Sequence, residues 1–314
     1  MVLPDPETLP WLRPHLERLE RLFRGRRPPH AILLVGPRGI GKRPLAHAIA
    51  WRKLWRKEGR SGEFLQNGHS DLLEIAPEEG GMAIDQIRLA TDWLRATSHS
   101  GRVLLLLESE KLLPAAANAL LKTVEEPPQG ALIILTVHDS PRKLPATLRS
   151  RCHPFRLPPP SVEETVTWLR ARGVPDPVAQ LAAVRYRGPL AAYRWVETGG
   201  LERRNRFWQD LSLWWQGERS LSEVSGAWEG AWGEVSFELL GWIRDLLAGE
   251  PRFHPDRPLL RCRSEKLGRA AFRILRALEE SHHHLQRRLL LEEILLTLRE
   301  ACDENRADRH PLNH

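Results

Sequence analysis

Ala31-Ile32-Leu33-Leu34-Val35-Gly36-Pro37-Arg38-Gly39-Ile40-Gly41-Lys42-Arg43 decides how this chain is read. The five apolar residues predict a strand, the glycine-rich run a loop, and Lys42 the start of a helix. That is the context in which a Walker A loop holds phosphates on backbone N–H groups and a lysine. Gly36, Gly39, Gly41 and Lys42 are therefore the candidate nucleotide-binding residues. The motif's last position, normally a Ser or Thr hydroxyl that ligates Mg²⁺, is Arg43. A guanidinium only donates hydrogen bonds and carries positive charge, so it repels the metal.

Working outward, apolar runs at 31–35, 72–76, 103–107, 131–137 and 154–157 predict five strands. Helical patterns lie between several of them. Ile84, Ile87, Thr91 and Leu94 share one helical face, and 115–126 reads as a helix stopped by Pro127-Pro128. Alternating strands and helices imply a mostly parallel sheet covered by helices. The run Val103–Leu107 leads into Glu108-Ser109-Glu110, as a second phosphate-site strand would. Glu108 occupies the place of a water-polarising carboxylate, but the preceding metal-ligand position is Leu107 rather than Asp. Two metal contacts are thus missing at positions remote in sequence, and hydrolysis by this chain alone is not expected.

Leu157-Pro158-Pro159-Pro160-Ser161 reads as a linker, and beyond it the pattern is helical. Ser161–Glu164 forms a capping box opening a helix to about Arg172, with shorter helices at 176–186 and 189–197. The polar, glycine-containing stretch 197–206 reads as a boundary. Long helices are expected at 259–280 and 282–302, the second with an apolar face of Leu285, Leu289, Ile294, Leu295 and Leu298. Six tryptophans between Trp208 and Trp242 read as packing between helices or subunits rather than as base-stacking platforms, because basic residues do not interleave with them.

The +7 net charge permits nucleic-acid contact, but the arginines form no concentrated stripe. Cys152, Cys262 and Cys302 are odd in number and far apart, which argues against a disulfide framework and for a reducing cytosol. No C-x-x-C pair suggests zinc. His282-His283-His284 points in different directions on a helix and reads as a solvated face. The sequence contains no leader-like apolar segment and no membrane-length apolar run, so a soluble, cytoplasmic protein without membrane contact is expected.

Further motifs carry a family resemblance. Asn118-Ala119-Leu120-Leu121-Lys122-Thr123-Val124-Glu125-Glu126-Pro127-Pro128 and Thr147-Leu148-Arg149-Ser150-Arg151-Cys152 resemble signatures of bacterial clamp-loader AAA+ subunits. Pro10-Trp11-Leu12-Arg13-Pro14 and His30-Ala31 match as well. The likeness is greatest to the delta-prime group of DNA polymerase III, strong over 10–160 and weak in the last hundred residues.

The resemblance implies a P-loop-type AAA+ domain at 1–158, a three-helix lid at 159–206 and an all-α collar at 207–314 that joins a hetero-oligomeric ring. The implied partners are the gamma and tau ATPase subunits and delta, with the sliding clamp and primed DNA reached through the complex. Arg151 falls on the Ser-Arg-Cys arginine, a finger that acts in trans on a neighbour's ATP, and Thr136 falls near the sensor 1 position. The four-cysteine zinc module of many relatives has no counterpart in 51–71, so no metal cofactor is expected. The sensor 2 arginine position holds Leu190 or Ala191. These departures imply a non-hydrolysing subunit with a vestigial loop or one holding nucleotide weakly without Mg²⁺. The alternatives are an active P-loop AAA+ ATPase of replication or repair, and a stand-alone DNA-binding protein.

Overall fold

A computed structural model describes residues 5–54, 69–78, 80–96, 101–251, 260, 262–279 and 284–307. Helix α1 (Arg13–Phe23) precedes strand β1 (Ala31–Gly36), helix α2 (Lys42–Leu54) and strand β2 (Leu72–Ile75). Helix α3 (Ile84–Arg95), β3 (Val103–Leu106), α4 (Pro114–Glu125), β4 (Leu132–His138), the single turn α5 (Ala146–Arg149) and β5 (His153–Arg156) follow. The strands form one parallel sheet in the order β2-β3-β4-β1-β5. All six residues of β1 are buried, which is why its sequence is continuously apolar rather than alternating. Ile87, Ala90 and Leu94 of α3 and Leu120 and Val124 of α4 pack in one core with Leu33, Leu104 and Ile133. The sheet brings the carboxyl ends of β1, β3 and β4 side by side. Ligands of open α/β sheets bind at such ends, where the strand order reverses.

Among the described residues eight further α-helices follow: α6 (Val162–Arg170), α7 (Asp176–Arg185), α8 (Pro189–Glu197), α9 (Gly200–Gln216), α10 (Leu221–Trp228), α11 (Trp232–Ala248), α12 (Ser264–Glu279) and α13 (His284–Ala307). The capping box of α6 is formed: Glu164 N donates to Ser161 Oγ at 3.1 Å, and Ser161 N donates to Glu164 Oε2 at 2.8 Å. The chain divides into two compact units, Met1–Gly173 with Tyr186–Tyr193, and Val174–Arg185 with Arg194–His314. The three helices expected as a lid are present but shared between these units. Of the stretch 197–206 expected as a boundary, residues 200–206 lie in α9. Glu202, Asn205 and Arg206 lie on the exposed side of this helix while Arg204 is buried, and Gly199, at φ 71°, lets the chain turn from α8 into α9.

In the second unit the tryptophans are core. Trp208 Nε1 donates to Glu238 Oε2 at 2.9 Å and Trp228 Nε1 to Asp210 Oδ2 at 2.8 Å. Trp208 meets Trp242, and Phe207 meets Trp228, edge to face. The inner face of α13 is Leu291, Ile294, Leu295 and Leu298. Leu289, expected on that face, is 65% exposed, because Leu291, only two residues on and therefore on roughly the opposite side of the helix, takes the inward position. The side chain of Leu285 lies outside the described residues.

The cysteine expectation is corrected. Cys262 and Cys302 form a disulfide, because α12 and α13 run antiparallel and return residue 302 to the start of the hairpin, 40 positions later. Spacing along the chain carries no record of that return. His282, His283, the side chain of His284 and residues 55–68 of the segment compared with the zinc module lie outside the described residues. Among the described residues no helix is long and apolar enough to cross a membrane.

Candidate functional site

The loop after β1 is held by its own chain on every side observed. Lys42, at the first position of α2, is 6% exposed, and its Nζ donates to the carbonyls of Gly36 at 2.7 Å and Pro37 at 2.8 Å. Burial, only partly offset by Glu110, Asp139 and Glu108, pulls the ammonium down to about 8. Gly39 and Gly41 have φ of 75° and 101°, which favours glycine at both. A Cβ on Gly41 would lie 2.6 Å from Leu12 Cδ1, and Trp11 Nε1 donates to Ile40 O at 2.8 Å. From the other side, Leu190 N donates to Gly39 O at 3.0 Å. A Cβ on Gly188 would sit 2.2 Å from Arg38 O, and one on Gly39 would sit 2.4 Å from Ala191 N. Residues 188–191 therefore rest directly on the loop backbone, and Ala191, a sensor 2 candidate position, contributes only a methyl group there.

The metal-ligand positions are equally committed. Arg43 makes a two-point contact with Glu74, Nη2 to Oε1 at 2.6 Å and Nε to Oε2 at 3.0 Å. His47 Nε2 lies 2.6 Å from Glu74 Oε2. Burial opposes the charge of Glu74, yet hydrogen bonds from His47 and Arg43 hold its carboxyl below the usual range. At the end of β3, Glu108 adopts φ 48° and accepts from Arg38 Nη2 at 3.1 and 3.2 Å, with Lys111 Nζ at 3.0 Å. Burial again opposes its charge, and Lys111 and Arg38 lower its pKa. Thr136 is buried on β4, where its Oγ1 accepts from Glu108 N at 3.0 Å and ties the two strand ends together. These residues do not fit Mg²⁺: a guanidinium stands where a hydroxyl ligand belongs, and a leucine where a carboxylate belongs.

Arg151 lies apart from this cluster, just after α5. It is exposed, its Nη1 donates to Thr147 O at 3.0 Å, and its Nε lies 2.6 Å from Glu125 Oε1 at the end of α4. Such a surface pair contributes little to stability and is readily exchanged for another anion.

Residues 12–161 match the family described as DNA polymerase III, delta subunit. The chain is 32% identical over 264 residues to DNA polymerase III subunit delta' of Escherichia coli, covering 78% of this chain and 76% of that protein. The chain belongs to the delta-prime family. It is also 34% identical over 147 residues to DNA polymerase III subunit tau of E. coli, covering 43% of this chain and 22% of tau. A gamma subunit-related protein of DNA polymerase III from Thermotoga maritima shares the fold, with a TM-score of 0.60 at 20% identity over 91% of this chain and 99% of that one.

The structure brings Gly36, Gly39, Gly41, Lys42 and Thr136 of this delta-prime relative to one end of the sheet and leaves Arg151 outside the group. Sequence reading missed Glu74, His47 and Glu125. The first carried a signal, being a lone carboxylate in the apolar strand Leu72-Leu73-Glu74-Ile75, but its partner on α2 is fixed only by the fold.

The Lys42 shift has a pH consequence. The folded state releases this proton near 8, while the unfolded chain keeps it to 10.5. Between these values the unfolded state binds more protons, so Lys42 favours folding increasingly as pH rises. Melting temperatures of the protein and of Lys42→Met at pH 7 and pH 10 check this. The wild type is expected to gain on the variant at the higher pH.

Proposed function

We propose that this chain is a non-hydrolysing delta-prime subunit of a cytoplasmic clamp loader, which holds the assembly and supplies Arg151 in trans to the ATP of a neighbouring subunit. The observation that carries this reading is the loop itself, whose lysine, flanking arginine and glycine backbone are all engaged by groups of the same chain. Loss of both metal positions and replacement of the sensor 2 arginine support it independently.

The partners are gamma and tau ATPases and delta, and loading of the sliding clamp onto primed DNA is the work of the whole complex. A planar guanidinium suits the task assigned to Arg151, because it pairs with two phosphate oxygens at once. Its position on the surface, paired with the exposed Glu125, leaves it able to transfer to a neighbour's phosphate. Enzymatic turnover belongs to the neighbours, and any nucleotide in the degenerate loop is held without metal.

The competing reading, an active AAA+ ATPase, rests on the retained Lys42 and glycines. Titration of labelled ATP against the isolated chain with and without Mg²⁺ separates the two, together with an ATPase assay. Mg²⁺ is expected to raise affinity less than tenfold, which corresponds to about 1.4 kcal/mol. A larger gain, or robust Mg²⁺-dependent turnover, would establish the ATPase instead.

A further inference from the structure

We propose that Cys262 and Cys302 are a reversible thiol–disulfide couple that braces the terminal helical hairpin of the second unit. The two helices pack through Leu267, Ala270 and Ile274 against Leu291, Ile294, Leu295 and Leu298, all buried. They are joined at one end by the chain between Glu279 and His284. The disulfide closes the other end, where Cys262 precedes α12 by two residues and Cys302 lies near the end of α13. The hairpin is thereby tied at both ends.

Two weaker links share the disulfide's end. Arg263 N donates to Ala301 O at 2.9 Å, and Lys266 Nζ lies 3.4 Å from Glu300 Oε2. They hold the two chain segments together when the sulfurs are reduced, so that reclosure is an intramolecular step at high effective concentration. Cys262 stands outside a helix, so cleavage releases the chain without interrupting helical hydrogen bonds. It is half-buried while Cys302 is buried, which makes Cys262 the accessible sulfur. The third cysteine does not compete. Burial pushes the Cys152 thiol up to about 12, leaving almost no nucleophilic thiolate at neutral pH.

The exchange balances with a small disulfide such as oxidised glutathione as oxidant. Cys262 thiolate attacks one glutathione sulfur and expels the other half as a thiol. Cys302 thiolate then attacks Cys262 Sγ in the mixed disulfide and expels the second glutathione. Two electrons and the two cysteine protons pass to two glutathione molecules. The closed loop restricts the unfolded chain over 40 residues, so the oxidised form is the more stable.

The test uses the full chain equilibrated in oxidised or reduced glutathione, trapped with N-ethylmaleimide, and analysed by peptide mass and thermal melting. Oxidised glutathione is expected to yield a linked Cys262–Cys302 peptide and to raise the melting temperature by about 5–10 °C. Cys262→Ser is expected to melt like the reduced wild type in both buffers, while Cys152→Ser keeps the full difference. Alkylation of both Cys262 and Cys302 after oxidation, equal melting of the two forms, or a difference that survives in Cys262→Ser would overturn the proposal.

Discussion

Replacing Arg151 by Ala is expected to silence one ATP site of the assembled loader while leaving this chain folded and incorporated. A finger stabilises charge that develops on the transferring phosphoryl group, and its removal costs on the order of 10³-fold or more at its own site. Other sites in the complex would keep their own fingers, so total turnover falls only in part, whereas clamp loading is impaired. Arg151→Lys is expected to rescue poorly, since an ammonium lacks the planar fork. Folding is spared because Arg151 is exposed and its visible partners are Glu125, Thr147 O and Ser150 Oγ at the surface. Lys42→Ala is the matched control. Its ammonium is spent on the carbonyls of Gly36 and Pro37, so loader ATPase stimulated by clamp and DNA should barely change. Loss of that activity in Lys42→Ala, with normal activity in Arg151→Ala, would make this chain the hydrolysing subunit.

Glu238→Ala is expected to be the most destabilising single change in the second unit. Glu238 on α11 is ion-paired with Arg185 of α7, lies 3.7 Å from Arg204 of α9, and accepts from Trp208 Nε1. The side chains of Arg185, Arg204 and Glu238 are 1%, 2% and 6% exposed. Removing Glu238 takes from the buried Arg185 guanidinium the carboxylate it pairs with, which costs about 3–5 kcal/mol. The melting temperature should fall by on the order of 10 °C. Glu238→Gln should lie between wild type and Ala, because an amide still accepts from Trp208 but carries no charge. Glu234 provides the contrast: its pair with Arg203 is 45% and 38% exposed, and Glu234→Ala should cost within about 1 kcal/mol. Equal melting of the Glu238 and Glu234 variants would show that the buried network is not what fastens α7 to α9 and α11.

The sequence by itself determined the sheet, the phosphate-type loop and the lack of oxygen-bearing side chains at positions 43 and 107. These are local properties. The buried central strands β1, β3 and β4 must be apolar runs, a loop that needs positive φ favours glycine, and the side chains of Arg43 and Leu107 lack metal-binding oxygens in any fold. The capping box at Ser161 and the stop at Pro127 were legible for the same reason, since each acts within one helical turn. Only the tertiary structure decided what those residues do instead. Glu74 is 31 positions from Arg43, and Leu190 is 151 positions from Gly39, so neither contact leaves a periodic trace. The stretch 197–206 reads as polar by composition, yet residues 200–206 open α9, where Arg204 is buried and Glu202, Asn205 and Arg206 are exposed, a distinction that only the packing makes. The disulfide was invisible because an antiparallel hairpin, not the interval of 40 residues, brings Cys302 back to Cys262.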